Sequence, residues 1–143
     1  MGHSAGATHV AGYAFRRDMW DGGSAGCAGA ILISGVYEAS LDDQRQNQLD
    51  YYGSDPARYA EMSTIGNVDP GDLAVFLSVA EREPLRFQRK GLRLLAEIAV
   101  KSDRVPWFKQ VLGHNHISEI DALGTGDQSL EPNLIAFVRE HSS

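Results

Sequence analysis

The serine at position 4 lies in a short motif that could supply a nucleophile. Gly2-His3-Ser4-Ala5-Gly6 follows the pattern G-x-S-x-G, which is typical of a serine on a sharp turn between a strand and a helix. We expect glycine at the flanking positions because a side chain there would clash with the neighbouring elements. Such a turn would expose the Ser4 hydroxyl and aim the Ala5 backbone N–H at an oxyanion formed during acyl transfer. The alternative is that Ser4 belongs to a flexible N-terminal tail.

Candidate acids and bases follow the two later apolar runs of the chain. A serine hydroxyl needs a base to activate it, and the base needs an orienting acid. Glu81 and Glu83 follow one run, and His114 and His116 follow the next. The order serine, acid, histidine, together with their positions after strands, predicts that these groups meet Ser4 at one sheet edge. The glutamates could instead simply favour a helix N-terminus. A metal at the histidines is disfavoured because no further ligand motif accompanies them.

The hydrophobic pattern predicts a sheet with helices on both faces. The runs at 28–36 and 73–80 are apolar almost throughout, which indicates strands buried on both faces. A weaker strand is predicted at 105–112, and a loop at 21–24. Helices are predicted at 8–17, at 57–61, from Pro84 onward with Phe87, Gly91, Leu94, Leu95 and Ile98 on one face, and at 132–141 with Ser129 as the cap. Alternating strands and helices predict a single α/β domain with parallel strands.

Composition disfavours several classes of partner. The chain has 143 residues and a formal net charge of -6, which disfavours binding to nucleic acid. We expect the basic run Arg86, Arg89, Lys90 and Arg93 on the solvent face of a helix. The only cysteine, Cys27, excludes an intrachain disulfide and is expected to be buried. No stretch has the length of a membrane span, and no secretion leader is visible. We therefore expect a cytoplasmic protein with no membrane partner.

Five segments together resemble the α/β-hydrolase carboxylesterases, in particular the small esterases similar to feruloyl esterases and arylformamidases. They are GHSAGA at 2–7, GAILISGVYE at 29–38, YYGSDPARYAEMS at 51–63, FLSVAEREP at 76–84 and GHNHISEI at 113–120. The resemblance covers essentially the whole chain, in the order and spacing of the family. The first segment is shared widely across the fold, whereas the Tyr-Gly-Ser-Asp-Pro and His-x-His-x-Ser patterns are more particular to this branch.

The resemblance implies roles for individual residues. Ser4 matches the nucleophile, His116 the general base, and Ala5 the residue whose N–H binds the oxyanion. The family's acid usually stands in a pattern like Gly-Glu-x-Asp-Pro. Here the text is Ala80-Glu81-Arg82-Glu83-Pro84, so Glu83 takes the place of the acid. The implied substrate is a small-molecule ester, with no cofactor and no metal, and an arylformamidase-type amide hydrolase is the alternative. The remaining histidines are expected to be structural or surface residues: His3, His9 and His141.

The resemblance also implies that this chain corresponds to the C-terminal half of the fold. The family's early strands and its His-Gly-Gly-like loop, which donates the second oxyanion N–H, have no counterpart in residues 1–143. We therefore expect one partial α/β-hydrolase domain without the strand before Ser4, so that the strand at 28–36 becomes an exposed edge. Such an edge favours a homo-oligomer or pairing with the missing N-terminal half. The expected activity is weak or absent, and the alternative is a non-catalytic fragment that needs a partner.

Overall fold

Four parallel strands form the central sheet of the computed structural model, which describes residues 1–17, 20, 23, 25–40 and 46–142. The strands lie side by side in chain order. They are β1 (Gly2–His3), β2 (Gly29–Ile33), β3 (Ala74–Ala80) and β4 (Trp107–Val111). The parallel pairing confirms the predicted α/β fold class. The loop predicted at 21–24 lies, apart from Gly23, outside the described residues.

Helices connect the strands and follow the last of them. They are α1 (Ala5–Phe15), α2 (Gln46–Tyr52), α3 (Pro56–Met62), α4 (Leu85–Ser102), α5 (Ser118–Asp121) and α6 (Glu131–His141). α1 begins three residues before the predicted start because Ser4 occupies its N-cap position. α4 begins directly after Pro84, as predicted. The sequence pattern does not predict α2 or α5. Within the part of the chain that the structure describes, no helix is long and apolar enough to cross a bilayer.

Alternate residues of β2 and β3 enter two separate cores, because successive side chains of a strand point to opposite faces. Ala30 and Leu32 belong to one core and Ile31 and Ile33 to the other. The first core includes α1 and α4 residues Ala7, Ala11, Ala14, Phe15, Leu94 and Ile98. The second includes Leu130, Leu134 and Phe137, the last two from α6. Helices on both faces therefore cover a doubly buried sheet, which confirms the prediction from the apolar runs.

A short strand precedes Ser4, contrary to the prediction that it is missing. Gly2 and His3 pair in parallel with Leu32 and Ile33 of β2. The turn at Ser4 is therefore anchored to the sheet on its N-terminal side. Among the described residues, β1 pairs with the last two of the five residues of β2, so the expected open edge is shortened at that end of the strand.

Two other local predictions are wrong. Cys27 is exposed rather than buried, because β2 begins two residues later and Cys27 remains in the preceding loop. Ser129 does not cap α6, because Leu130 occupies the N-cap position and makes no side-chain capping bond. The basic run on α4 behaves as predicted, since Arg86, Arg89 and Arg93 are exposed and Lys90 is partly exposed.

Close contact between α4 and β3 predicts opposite effects for two glycine substitutions. A Cβ at Gly91 would lie 2.7 Å from Cγ1 of Val79, whereas a Cβ at Gly12 in α1 would meet nothing within 4 Å. We expect Gly91→Ala to lower the free energy of unfolding by about 1–3 kcal/mol through overpacking. Gly12→Ala should raise it by roughly 0.5–1 kcal/mol, since alanine favours the helix and restricts the unfolded chain. Urea unfolding of both variants measures the difference, and equal effects would contradict this packing.

Candidate active site

Ser4 occupies a strained turn between β1 and α1. Its backbone has φ 54° and ψ −123°, a conformation that residues other than glycine rarely adopt. The Ser4 N–H donates to the Ile33 carbonyl at 2.9 Å, and the Ser4 carbonyl accepts from the Thr8 N–H at 3.2 Å. Hydrogen bonds to β2 and within α1 thus hold the unfavourable backbone, as strained residues require. Ala5 is the first residue of α1, so its N–H has no acceptor within the helix.

Steric crowding explains only one of the two glycines in the motif. A Cβ at Gly2 would lie 2.7 Å from the Ala7 nitrogen and closer still to the Gly6 carbonyl oxygen. A Cβ at Gly6 would meet none of the described atoms within 4 Å. The expected clash is therefore confirmed for Gly2 and wrong for Gly6, because Gly6 lies on the exposed side of the first turn of α1.

A continuous line of hydrogen bonds joins Ser4, His116 and Glu83. The Ser4 Oγ lies 2.9 Å from Nε2 of His116, and Nδ1 of His116 lies 3.0 Å from Oε2 of Glu83. A carboxylate only accepts hydrogen bonds, so Nδ1 carries the imidazole proton and donates it to Glu83. The unprotonated Nε2 is then free to accept from the serine hydroxyl. The structure thus brings together the predicted serine, acid and histidine, in the tautomer that a base acting on serine needs.

The Glu83 carboxylate is buried and fixed by several donors. Its side chain is 0% exposed. Oε1 accepts from the Ser34 hydroxyl at 3.1 Å and from the Ala80 N–H at 3.1 Å, while Oε2 accepts from His116. Ser34 itself has φ 46°, so a second strained serine at the end of β2 supports the acid. Such donors compensate for the loss of solvent around a buried carboxylate.

The alternative acid and the alternative histidine point elsewhere. Oε2 of Glu81 accepts from the Gly113 N–H at 2.7 Å. Nε2 of His114 lies 3.1 Å from the Ser129 Oγ and 3.4 Å from Oδ2 of Asp127. Hydrogen bonds from Ser129 hold the pKa of Asp127 below its usual value. Glu81 and His114 therefore tie the loops after β3 and β4 together, and neither takes part in the line of bonds to Ser4.

His3, expected to be structural or at the surface, lies against His116. Its Nε2 is 2.7 Å from the His116 backbone carbonyl, and the two ring centroids are 4.8 Å apart. The Phe87 ring also stacks on His116, with centroids 4.8 Å apart and an interplanar angle of 22°. The sequence contains one indication that His3 belongs to the site, because His3 directly precedes Ser4. The other two histidines pack against aromatic rings, His9 against Tyr51 and His141 against Phe137.

A second buried glutamate, Glu119, lies close to the imidazoles of His3 and His116. The sequence pattern does not predict it. Its side chain is 0% exposed, and Oε1 lies 3.8 Å from Nε2 of His3. Neither carboxyl oxygen has a hydrogen-bond partner among the described residues. Burial raises the pKa of Glu119 to about 7, and the nearby charge of Glu83 raises it further. The Ser34 hydroxyl is close enough to lower it in part, but its hydrogen bond goes to Glu83. Burial also lowers the pKa of His3. Both shifts favour an uncharged Glu119–His3 pair near neutral pH.

His3, His116 and Glu119 also place potential metal-ligand atoms within 4.8 Å of one another. Three of the four imidazole nitrogens in this group already have other partners. Nε2 of His3 bonds to a carbonyl, and both nitrogens of His116 bond to Ser4 and Glu83. A metal ion would have to break these bonds, because it needs the lone pairs of deprotonated nitrogens. The donor set therefore fits an imidazole hydrogen-bond network better than a metal centre.

Ser4 faces an open cleft of about 410 Å³. The cleft lies between the first turns of α1, helix α2 and the start of α4. Its walls include Ala5, Thr8, His9, Tyr51, Tyr52 and Phe87. A substrate in this cleft would therefore contact the Ser4 hydroxyl and the Ala5 end of α1 while resting against aromatic rings. Pockets of this kind, apolar with a few polar groups, are common binding sites for small molecules.

Comparison with known proteins supports the fold. No protein-family model matches the sequence, and no curated protein matches it either. Among solved structures, the chain is similar to a thermophilic esterase of the Planctomycetes species Thermogutta terrifontis, esterase 2. The propionate-bound form is 20% identical with a TM-score of 0.64, and the match covers 97% of this chain and 54% of that chain. For the apo form the corresponding values are 20%, 0.64, 97% and 53%.

This similarity describes a partial esterase-like fold. The chain spans about half the length of the esterase structures that it matches. The four parallel strands and surrounding helices correspond to part of the esterase fold. An identity of 20% shows common architecture, whereas chemistry has to be argued from the residues of this chain.

The raised pKa of Glu119 predicts how the stability of the protein depends on pH. The folded state keeps the Glu119 proton up to a pH of about 7, whereas the unfolded chain releases it near 4.5. Stability is therefore expected to fall as pH rises through this window, because the folded state binds more protons. Between pH 5 and pH 8, the wild type should lose roughly 1–3 kcal/mol relative to Glu119→Gln, which cannot ionise.

Urea unfolding at pH 5 and pH 8 measures this difference. Glu61→Gln is a matched control, because Glu61 is an exposed glutamate on α3 and should follow the wild type. Identical pH dependence in the wild type and Glu119→Gln would contradict a neutral, buried Glu119.

Proposed function

We propose that the chain is a serine-dependent carboxylic ester hydrolase of the α/β-hydrolase type that works through an acyl-enzyme. The observation that carries this proposal is the line of hydrogen bonds from Glu83 through His116 to Ser4. The strained backbone of Ser4 and its position at an open cleft add to it. So does the similarity of the fold to part of an esterase. A nucleophile bonded to a base, an acid that orients the base, and access for a substrate are features that nucleophilic acyl transfer needs.

The proposed reaction uses the residues of this line in turn. Ser4 Oγ attacks the acyl carbon while Nε2 of His116 takes the hydroxyl proton. The buried Glu83 carboxylate accepts the Nδ1 hydrogen bond and stabilises the imidazolium that forms. His116 then protonates the leaving alcohol, and a water activated by His116 hydrolyses the acyl-enzyme. The Ala5 N–H, at the positive end of α1, would donate to the oxyanion.

The rate of this chain on its own is expected to be low. The resemblance implies that the second oxyanion N–H comes from an early loop, and the chain spans about half the length of the esterases it matches. Removing one oxyanion donor typically lowers kcat by about 10²–10³. We therefore propose weak esterase activity, completed where a further segment or a partner supplies that donor.

Cleavage of an aryl formamide is the nearest alternative reaction. The same serine, histidine and carboxylate would attack a formyl amide by the same steps. The aromatic wall of the cleft, with Tyr51, Tyr52 and Phe87, favours a flat aryl group in either an ester or an amide. Parallel assays with aryl esters and aryl formamides distinguish the two reactions.

For location we propose the cytoplasm, where an exposed free thiol such as Cys27 stays reduced.

Labelling of Ser4 tests the proposed nucleophile. A fluorophosphonate probe reacts with an activated serine far faster than with an ordinary hydroxyl. We expect one adduct, located on Ser4 by peptide mass spectrometry and absent in Ser4→Ala. Ser129→Ala is the matched control, because Ser129 also contacts a histidine but lies outside the line to Glu83. Folded wild-type protein that gives no adduct would contradict the proposal and favour a non-catalytic fragment that needs a partner.

Substitution of the two glutamates tests which one is the acid. Glu83→Gln keeps the side-chain shape but removes the charge that favours Nδ1 protonation. We expect it to lower the labelling rate constant of Ser4 by about 10²–10⁴. Glu81→Gln should stay within about threefold of the wild type, because Glu81 bonds to Gly113 instead. The reverse order of effects would assign the acid role to Glu81.

A further inference from the structure

His116 is held from two directions, and only one of them belongs to the proposed reaction. Its ring bonds to Ser4 and Glu83. Its backbone carbonyl accepts a hydrogen bond from Nε2 of His3 at 2.7 Å. His3 is the last residue of β1 and directly precedes Ser4. One side chain of β1 thus links the histidine loop to the strand that carries the serine.

The geometry fixes which nitrogen of His3 carries its proton. A carbonyl only accepts hydrogen bonds, so Nε2 of His3 must be the donor to His116. Burial lowers the pKa of His3 and raises that of the adjacent Glu119. Both shifts favour the uncharged forms of His3 and Glu119. Neutral imidazole has one N–H, and this bond uses it.

The backbone of His116 lies close to His114, whose carbonyl accepts from the Arg82 N–H at 2.8 Å and so ties the loop to the segment after β3. It lies in the loop between β4 and α5, where the turn is organised by Asn115, whose side chain accepts from the N–H groups of Ile117 and Ser118. Those bonds shape the loop but do not connect it to β1. The bond from His3 makes that connection, across 113 positions of the chain. A small displacement of a reacting group can cost about 10²-fold in rate, so such a tether affects how well His116 reaches Ser4.

Two other clusters of polar side chains do not support a further site. Ser129, His114 and Asp127 also combine a hydroxyl, an imidazole and a carboxylate. Both contacts there use the same nitrogen of His114, so the group cannot pass a proton from serine to acid. The metal-ligand cluster of His3, His116 and Glu119 would require breaking the bonds that hold His116. The tether between His3 and His116 is therefore the contact with the clearest consequence.

We propose that His3 is a positioning residue, which holds the His116 backbone so that the His116 ring reaches Ser4 and Glu83 together. The inference rests on the proposed function, because it assigns His3 to the proposed nucleophile and base. His3 is the residue at the first x of the motif G-x-S-x-G. The residue directly before the proposed nucleophile would therefore hold the backbone of the proposed base. Glu119 lies beside the same nitrogen, with Oε1 3.8 Å from Nε2 of His3.

The test compares a side chain that keeps the donor with one that lacks it. His3→Gln places an amide N–H near the position of Nε2, whereas His3→Leu fills the space without a donor. We expect His3→Gln to keep at least a third of wild-type kcat. His3→Leu should lower kcat about 10–100-fold with KM nearly unchanged. Circular dichroism and thermal unfolding confirm that each variant is folded, and His3→Met replaces His3→Leu if leucine prevents folding.

A second readout does not depend on activity. The proton shared between Nδ1 of His116 and Glu83 should give a downfield proton resonance, assigned by its loss in His116→Gln. We expect this resonance in the wild type and in His3→Gln, and its loss or broadening in His3→Leu. Equal kcat in both His3 variants, or equal losses in folded protein, would overturn the positioning role. So would absence of the resonance from the wild type.

The two readouts separate failure of this inference from failure of the proposed function. If the wild type neither hydrolyses esters nor labels at Ser4, the proposed function fails. The resonance then still tests the role of His3, because it reports the His116–Glu83 hydrogen bond, which is expected to be lost when His3 no longer holds the His116 backbone. Conversely, labelling of Ser4 that is unaffected by His3→Leu would leave the nucleophile in place and remove the role of His3.

Discussion

The buried carboxylate of Glu83 is the constraint on which the rest of the site depends. A carboxylate with no solvent contact needs donors in place of water. Three donors serve here, the Ser34 hydroxyl, the Ala80 N–H and the His116 imidazole. Each comes from a different part of the sheet edge, namely the ends of β2 and β3 and the loop after β4. Satisfying one buried charge therefore fixes three segments relative to one another and leaves His116 with its accepting nitrogen toward Ser4.

The parallel sheet makes this meeting possible. All four strands run in one direction, so the residues that follow them collect at a single edge. Ser4 directly follows β1, and Ser34 directly follows β2. Glu83 is the third residue after β3, and His116 lies in the loop after β4. Ser4 and His116 are 112 positions apart in the chain, yet the register between neighbouring strands brings them within hydrogen-bonding distance. The hydrophobic cores on both faces hold that register, because a slip of one residue would exchange the side chains of the two faces.

The features that follow from periodicity and chain order could be predicted from the sequence, and those that follow from tertiary contact could not. Apolar runs indicate β2 and β3, and the order of serine, acid and histidine predicts that Ser4, Glu83 and His116 meet. Nothing in the pattern indicates Glu119, because its environment is built by residues distant in sequence. α5 has only four residues, too few for a periodic signal. β1 has two residues, so only its pairing with β2 identifies it as a strand. Cys27 is expected to be buried because its neighbours in sequence are small residues. It is exposed instead, because it lies in the loop before β2.

Two buried glutamates close to one imidazole illustrate how neighbours decide the state of a side chain. Glu83 and Glu119 have the same chemistry and the same lack of solvent exposure. Glu83 accepts three hydrogen bonds, whereas neither oxygen of Glu119 has a partner among the described residues. A site with like charges stabilises one of them and protonates the other. The donors around Glu83 suit a carboxylate on the side of His116 that faces away from Ser4. A neutral Glu119 avoids a second carboxylate that would compete for the imidazolium. Burial is the main cause of the raised pKa of Glu119, whereas the Ser34 hydroxyl and the Ala80 N–H give Glu83 the donors that a buried carboxylate needs.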